Sequence, residues 1–284
     1  MLTQILESEK QRYFALRHSD PASIGDIPQL SGVIHLAGMA HRSQGELADY
    51  REANVDWAYQ VAKIALQKGA LRFIYVSTIK VNGEHSGEGG FRPEDAPEPN
   101  GPYAVSKLEG ERQLAQFLSG KMEFIAVRPP LIYGPGVKGN LDRLMRYVQM
   151  GMPMPFGAAR GTRSLIASRN LSGFLAHLAK LGKSLSDYNV PSHSANVSDY
   201  LVFLPSDLDI SSADLIREIA RAMHRSARLI PIPAWFFRPT GFYDRLFSSL
   251  TVEDNRCRQI GWKNNVTPEQ AIEEMVGHFL ARYA

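Results

Sequence analysis

Three short apolar segments, each closing in small or polar residues, constrain the fold of this chain most strongly. They read "GVIHLAG" (32–38), "RFIYVST" (72–78) and "EFIAVR" (123–128). Runs of this length without alternating polar residues are typical of β-strands that are buried on both faces of a parallel sheet.

Segments with helical periodicity lie between these strands. Apolar residues recur near helical spacing from about residue 50 to 68, and Gly69 follows as a natural stop. A second helix is predicted over residues 102–118, after a polar loop at 82–100. The order strand, helix, strand, loop, helix, strand predicts an α/β protein with a parallel sheet wound with helices.

The pattern becomes less regular after Arg128, where "PPLIYGPGVKGN" predicts a loop rich in Gly and Pro. Three helices are predicted next, near 141–149, 170–181 and 211–223, together with one strand near 200–204. A last helix begins with a capping box at 267–270. This half of the chain is predicted to form a smaller lobe at the edge of the sheet.

Composition excludes several functional classes. A net charge of +3 without a dense Lys/Arg block argues against a nucleic-acid partner. The single cysteine, Cys257, excludes an internal disulfide, offers no metal cluster and is typical of a reducing compartment. No apolar run approaches the ~18 residues of a membrane span, and no leader-like segment opens the chain. The sequence therefore predicts a soluble cytoplasmic protein. No metal site is expected, because the chain offers no cluster of cysteine ligands.

The aromatic stretch "PAWFFRPTGFYDRLF" (233–247) allows two interpretations. It resembles a segment that touches a membrane surface. Its prolines, together with Arg238, Asp244 and Arg245, favour a packed helix or a lid instead.

Tyr103 and Lys107, four residues apart in "GPYAVSKLEGE", form a candidate catalytic pair. Tyr59 and Lys63 have the same spacing, and both pairs would share one face of a helix, so the spacing alone is not specific. The two pairs differ in their position relative to the predicted strand ends. Ligands bind at the carboxyl ends of parallel strands, and Tyr103 opens the helix between two strands whose ends include Thr78, whereas Tyr59 lies mid-helix.

The chemistry of this set is coherent. A phenol with a pKa near 10 is too weak a base at neutral pH, and the Lys107 ammonium is expected to lower that pKa. Lys107 is also placed to donate to a cofactor ribose, and Thr78 to hydrogen-bond the substrate oxygen. Together with a nicotinamide, these groups would oxidise a carbinol or reduce a ketone.

The chain resembles the extended short-chain dehydrogenases/reductases, the NAD-dependent epimerase/dehydratase family. The landmarks "HLAG", "NVDWA", "VSTIKVNGE", "YAVSK", "RPPLIYGPG" and "RQIGW" occur in the family's order. The resemblance implies a Rossmann-type fold, with a dinucleotide-binding domain at 1–135 and mainly a substrate-binding lobe at 136–284. Within the family the chain is similar to bacterial enzymes that act on UDP-sugars, including UDP-glucose 4-epimerase-like proteins and 4-ketoreductases of surface polysaccharide synthesis.

The resemblance also implies a role for individual residues. Those matching the catalytic Ser/Thr, Tyr and Lys are Thr78, Tyr103 and Lys107. Those matching positions along the NAD or NADP cofactor are Leu36, Ala37 and Gly38 on the adenosine side, and Ser77, Pro129 and Pro130 near the nicotinamide. Those matching contacts to the UDP part of the substrate are Asn140, Arg163 and Arg256, and a diphosphate does favour bidentate arginine donors.

The chain departs from the family at its start. The family opens with a strand and a glycine fingerprint, whereas "MLTQILESEK" resembles the end of the first helix, so we expect either a longer natural chain or one that binds cofactor poorly.

The only GxGxxG, at 134–139, lacks the acidic residue about 20 positions later and is rejected as the dinucleotide site. Arg17, at the end of the predicted second strand, suits the 2′-phosphate of NADP. Leu131 and "IASRN" (166–170) also differ from the family pattern.

These observations predict hydride transfer at C4 of a UDP-sugar, by a 4-ketoreductase or a 4-epimerase. The rival interpretation is a non-catalytic relative that binds a nucleotide or a partner chain. By resemblance, the helices at 50–68 and 102–118 would form a homodimer interface.

Overall fold

The structure, a computed structural model, describes residues 1–8, 13, 15, 29–40, 46–182, 185, 200–239 and 243–283. Within these residues the main sheet has the strand order β1-β2-β3-β6, with bounds β1 Gly32–His35, β2 Arg72–Val76, β3 Glu123–Val127 and β6 Leu201–Phe203. Every neighbouring pair is parallel. The predicted parallel sheet is confirmed, whereas the strand predicted near Arg17 falls outside the described residues.

Side chains of the central strands alternate between hydrophobic clusters on opposite faces of the sheet. In β2, Phe73 and Tyr75 lie in one cluster and Ile74 in the other, and each is at most 1% exposed. In β3, Ala126 and Ile125 divide in the same way. Burial on both faces explains why these segments carry no polar alternation in the sequence.

The first half of the chain contributes the helices α1 Leu2–Ser8, α2 Leu47–Arg51, α3 Trp57–Gln67 and α4 Pro102–Leu118. A π-helical turn, Glu52–Asp56, joins α2 to α3. The helix predicted over 50–68 therefore exists, but it starts earlier and contains an interruption that the sequence did not indicate. The helix predicted over 102–118 has these bounds, with Pro102 in its first turn.

The second half contains a smaller sheet, with strands β4 Leu131–Tyr133, β5 Thr162–Ala167 and β7 Leu208–Ser211. Its helices are α5 Asn140–Gln149, α6 Ser168–Lys180, α7 Ser212–Ala222, α8 Ala234–Phe237, α9 Tyr243–Phe247, α10 Asn255–Gln259 and α11 Pro268–Tyr283. The sequence predicted β6 but not these three strands, because they are short and begin in polar or Gly/Pro-rich surroundings. The capping box before α11 is confirmed: the Thr267 and Gln270 side chains accept from each other's backbone N–H groups.

The aromatic stretch at 233–247 is only partly packed. Phe237 of α8 and Leu246 of α9 are buried in a small cluster with Ala159. Trp235 and Phe236 remain 69% and 54% exposed. No helix among the described residues is long and apolar enough to cross a membrane.

Cys257, the single cysteine of the chain, lies in α10 with no exposed surface. It packs in the same cluster as Ile74 of β2. Burial raises the pKa of its thiol well above the usual value.

Helix α4 crosses the π-helical turn at Gly110. A Cβ atom at this position would lie 2.6 Å from the backbone oxygen of Asn54 and 2.8 Å from the hydroxyl oxygen of Tyr75. The Tyr75 hydroxyl donates to the Asn54 carbonyl at 2.8 Å. The crossing therefore requires glycine, because no side chain fits between the two helices.

We expect Gly110→Ala to lower the free energy of unfolding by about 1–3 kcal/mol, since overpacking outweighs the gain in helix propensity. Gly277→Ala is the matched control, because Gly277 also lies within a helix, α11, but nothing comes within 4 Å of its added Cβ. That change should raise stability by about 0.5–1 kcal/mol. Urea unfolding measures both values, and effects of the same sign would show that the close approach is not decisive.

Candidate active site

The carboxyl ends of β2 and β3 form one edge of the candidate site. The Ser77 N–H donates to the Val127 carbonyl at 2.7 Å, and the Ile79 N–H donates to the Pro129 carbonyl at 3.0 Å. Thr78 lies between these bonds in an extended conformation. Its side-chain oxygen accepts from the Lys80 N–H at 3.3 Å and so caps a 3₁₀ turn over Ile79–Val81.

Tyr103, in the first turn of α4, meets Thr78 at this edge. The Tyr103 hydroxyl lies within interaction range of the Thr78 side chain, and the Tyr103 ring packs against Tyr50 with centroids 6.2 Å apart. Burial raises the pKa of Tyr103 above its ordinary value of 10.0, and the interaction with Thr78 opposes that rise. The structure thus brings together the two residues that strand-end geometry predicted.

Lys107, one turn later in α4, is 4% exposed. Its Nζ donates to the Val76 carbonyl at 3.0 Å and lies 4.6 Å from the centre of the Tyr75 ring. Burial lowers the pKa of Lys107 to about 8, and the negative charge of Glu111 acts against this shift.

The expectation that Lys107 lowers the pKa of Tyr103 is wrong for this arrangement. Burial dominates at Tyr103, and the opposing influence there comes from the Thr78 side chain. The Lys107 ammonium is instead directed at the Val76 carbonyl and the Tyr75 ring. Tyr103 therefore keeps its proton at neutral pH.

The depressed pKa of Lys107 gives a prediction about stability. The charged lysine is favoured less in the folded than in the unfolded chain, so its destabilising effect is complete below about pH 8 and is relieved as the pH rises toward 10.5. Across this window we expect the unfolding free energy of the wild type to gain up to about 3 kcal/mol relative to Lys107→Met. Urea titrations of both proteins at several pH values measure this difference, and a constant difference would contradict the assignment.

Asn54, in the π-helical turn, is a buried residue of the site that sequence reasoning did not select. Its Oδ1 accepts from the Met39 N–H at 2.9 Å, and its Nδ2 donates to the Met39 carbonyl at 3.2 Å and to the Ser106 hydroxyl at 2.9 Å. It thereby fixes the segment after β1 against α4. A Cβ at Gly38 would lie 2.6 Å from Asn54 Oδ1 and 2.9 Å from Lys107 Nζ, so a side chain at residue 38 would displace these two groups.

A fully buried ion pair between Arg128 and Glu111 lies beneath the site. Arg128 Nη2 is 2.6 Å from Glu111 Oε2, and neither side chain has exposed surface. Arg128 Nη1 donates to Asn82 Oδ1 at 2.9 Å, and the Tyr200 hydroxyl donates to Glu111 at 2.9 Å. The network joins α4, the end of β3 and the loop that follows Thr78. The sequence held a signal, a charged residue directly after an apolar strand, but its partner was not evident.

Comparison with known proteins bears on this arrangement. Residues 10–190 match the family described as "NAD dependent epimerase/dehydratase family". A protein of Vibrio cholerae named UDP-glucose 4-epimerase is 34% identical over 264 residues, which cover 87% of this chain and 76% of that protein. The chain belongs to the NAD-dependent epimerase/dehydratase family.

Solved structures with lower identity share the fold of this family member. A structure of RMD from Pseudomonas aeruginosa complexed with NADPH has a TM-score of 0.76 and 19% identity, covering 99% of this chain and 95% of that one. UDP-glucuronic acid 4-epimerase from Bacillus cereus in complex with NAD has a TM-score of 0.71 and 18% identity, covering 98% and 82%. The predicted Rossmann-type fold is confirmed, and the predicted dependence on NAD or NADP agrees with the family to which the chain belongs.

The positions predicted to follow the cofactor lie at the carboxyl ends of β1, β2 and β3. Leu36 is 54% exposed, and Ala37 and Gly38 follow it directly. Pro129 and Pro130 are buried next to the Ser77 strand end. Arg17 lies outside the described residues.

The predicted substrate contacts are more scattered. Asn140 is exposed at the start of α5, and Arg163 is half-buried on β5. Arg256 is 4% exposed, and its guanidinium donates to the Val202 carbonyl at 3.1 Å and pairs with Glu94 at 2.6 Å. The structure therefore places Arg256 in contacts that hold α10 to β6, and its role at a substrate stays a prediction.

Proposed function

We propose that the chain transfers hydride at C4 of a UDP-sugar, as a 4-ketoreductase or a 4-epimerase using NAD or NADP. The observation that carries the proposal is the approach of Thr78 and Tyr103 at the sheet edge, with buried Lys107 one turn along the helix. The identity to the Vibrio cholerae UDP-glucose 4-epimerase supports the nucleotide and the carbon position.

The described residues at the sheet edge fit a nicotinamide cofactor. The Ser77 hydroxyl oxygen is buried and has no hydrogen-bond partner among the described residues, so a donor or acceptor is available to a ligand there. The buried prolines 129 and 130 provide an apolar neighbour for a flat ring. Ser77, Pro129 and Pro130 would hold the nicotinamide, Lys107 its ribose, and Leu36, Ala37 and Gly38 the adenosine side; Arg17 would lie near the 2′ position.

Each side chain then has a defined task. Tyr103, whose raised pKa keeps it protonated at neutral pH, delivers its phenolic proton to the oxygen of a 4-keto sugar and takes it back from the 4-hydroxyl in the reverse direction. Thr78 hydrogen-bonds the same sugar oxygen and keeps it within reach of Tyr103. When bound, the nicotinamide supplies or accepts the hydride of C4.

The proposal assigns the UDP moiety to Asn140 and Arg163, which belong to the second half of the chain. Arg256 joins them only after its guanidinium leaves Glu94. A place in surface polysaccharide synthesis, a cytoplasmic setting and a homodimer through α2, α3 and α4 are further parts of the proposal that rest on the family resemblance.

A product assay tests the proposal and separates its two forms. The protein is incubated with UDP-glucose or UDP-N-acetylglucosamine and NAD, and in parallel with the corresponding 4-keto UDP-sugar and NADH or NADPH. The C4 epimer without net change in cofactor would identify an epimerase, and stoichiometric loss of reduced cofactor would identify a ketoreductase.

Failure of both reactions would reject the proposed chemistry. Calorimetry with NADH, NADPH and UDP-sugar then decides the rival interpretation. Binding of nucleotide without turnover would indicate a non-catalytic relative, whereas turnover in either assay would exclude that interpretation.

A further inference from the structure

One segment in the second half of the chain combines exposed arginines with large exposed apolar side chains. Residues 219–239 contain four arginines and no Asp, Glu or Lys. Because the net charge of the whole chain is +3, the remainder carries a formal charge of −1. The segment therefore accounts for the net positive charge of the protein.

We call the exposed side chains of this segment the arginine–tryptophan face; they are Arg225, Arg228, Ile230, Trp235, Phe236 and Arg238. Among the described residues none of its three guanidinium groups has an ion-pair partner, whereas Arg221, just before it, pairs with Glu218. Unpaired cations and exposed aromatic rings within one short segment are not explained by the packing of this chain, and exposed apolar surface of this kind marks an interaction site.

The face is held in place by the fold. The Met154 N–H donates to the Arg228 carbonyl at 2.8 Å, and the Ile230 N–H donates to the Met154 carbonyl at 2.9 Å. Phe237 anchors α8 in the cluster with Leu246. Because the neighbouring residues are fixed, the exposure of Trp235 and Phe236 is a property of the folded chain.

The composition of the face indicates the chemistry of its partner. A tryptophan that is 69% exposed projects from the surface instead of lining a groove, which suits insertion into a soft layer. Tryptophan concentrates at the boundary between lipid headgroups and acyl chains, where its ring and its N–H are both satisfied. Arginine binds phosphate through two parallel hydrogen bonds, and basic clusters are drawn to anionic leaflets.

We propose that the arginine–tryptophan face docks on a membrane surface that carries anionic phospholipid headgroups. The aromatic side chains enter the headgroup layer while Arg225, Arg228 and Arg238 contact lipid phosphates. This docking is reversible and salt-sensitive, because the guanidinium groups stay near water. It needs no helix that spans the bilayer, and it is independent of the proposed reaction.

Vesicle binding tests the proposal with the full chain. The protein is mixed with vesicles of phosphatidylcholine alone, or of phosphatidylcholine with phosphatidylglycerol, at low and at high salt. We expect cosedimentation with the anionic vesicles only, weakened about tenfold or more by high salt. A blue shift of tryptophan fluorescence should accompany binding, and it should be absent in Trp235→Phe.

Variants assign the binding to the face. Arg225→Gln with Arg228→Gln, and separately Trp235→Ser with Phe236→Ser, should each lose about tenfold or more in affinity. Arg112→Gln with Arg143→Gln removes two other exposed arginines that lack an ion-pair partner among the described residues, and it should bind like the wild type. Thermal melts establish that each variant is folded.

Several outcomes would overturn the proposal. Binding that is equal on neutral vesicles, or equal in all variants, would exclude a role for this face. No vesicle binding, combined with a dimer in sedimentation velocity that Trp235→Ser with Phe236→Ser dissociates, would show that the face pairs two copies of the chain.

Discussion

Tyr103→Phe is expected to reduce turnover by about two to four orders of magnitude while UDP-sugar binding persists. The change removes one oxygen, which lies next to the Thr78 side chain and is the proton donor of the proposed reaction. The ring itself remains to pack against Tyr50, so the first turn of α4 should keep its position. Steady-state kinetics with the substrate found in the product assay measure the loss, and calorimetry measures binding.

Tyr59→Phe is the matched control for this prediction. Tyr59 has the same spacing to a lysine, but its ring packs edge-on against Phe117 at 4.7 Å and does not meet a strand end. Its change should leave turnover within about twofold of the wild type, because it removes no group of the site. Full activity of Tyr103→Phe, or an equal loss in both variants, would contradict the assignment of the proton donor.

Arg128→Met is expected to lower the free energy of unfolding by about 3–5 kcal/mol, because it leaves the carboxylate of Glu111 buried without its cation. Both side chains of this pair lack exposed surface. The double variant with Glu111→Leu should be less destabilised than the sum of the single changes, since it removes both charges. Urea unfolding of the two single variants and the double variant completes the cycle.

The ion pair of Arg51 in α2 and Glu109 in α4 provides a control, because Glu109 lies on the same helix as Glu111. It has a comparable geometry, with Nη2 2.6 Å from Oε1, but its side chains are 51% and 34% exposed. Arg51→Met should therefore destabilise the protein far less than Arg128→Met, because solvent screens the exposed pair. Equal costs at Arg51 and Arg128 would show that burial does not set the strength of these ion pairs.

The sequence was sufficient to predict the central sheet and the approach of Thr78 to Tyr103. Strands buried on both faces leave uninterrupted apolar runs, and residues that follow parallel strands must meet at one edge. The bounds of α4 could also be predicted, because Pro102 marks its first turn and periodicity ends at Leu118.

Other features left no readable pattern. A π-helical turn adds one residue to a helix and hardly alters its apolar period, so the role of Asn54 was not visible. Glu111 stands among charged residues that suggest an exposed surface, although its carboxylate is fully buried. The pKa of Tyr103 depends on burial, which is a property of the assembled site and not of residue spacing.

The burial of Cys257 has a practical consequence. A thiol with no exposed surface and a raised pKa cannot react with an alkylating reagent until the core around it opens. As the single cysteine of the chain, it yields one mass increment per molecule. Cys257 is therefore a built-in probe for opening of the core. The rate at which excess reagent labels it reports how often α10 separates from the sheet, with or without a bound nucleotide.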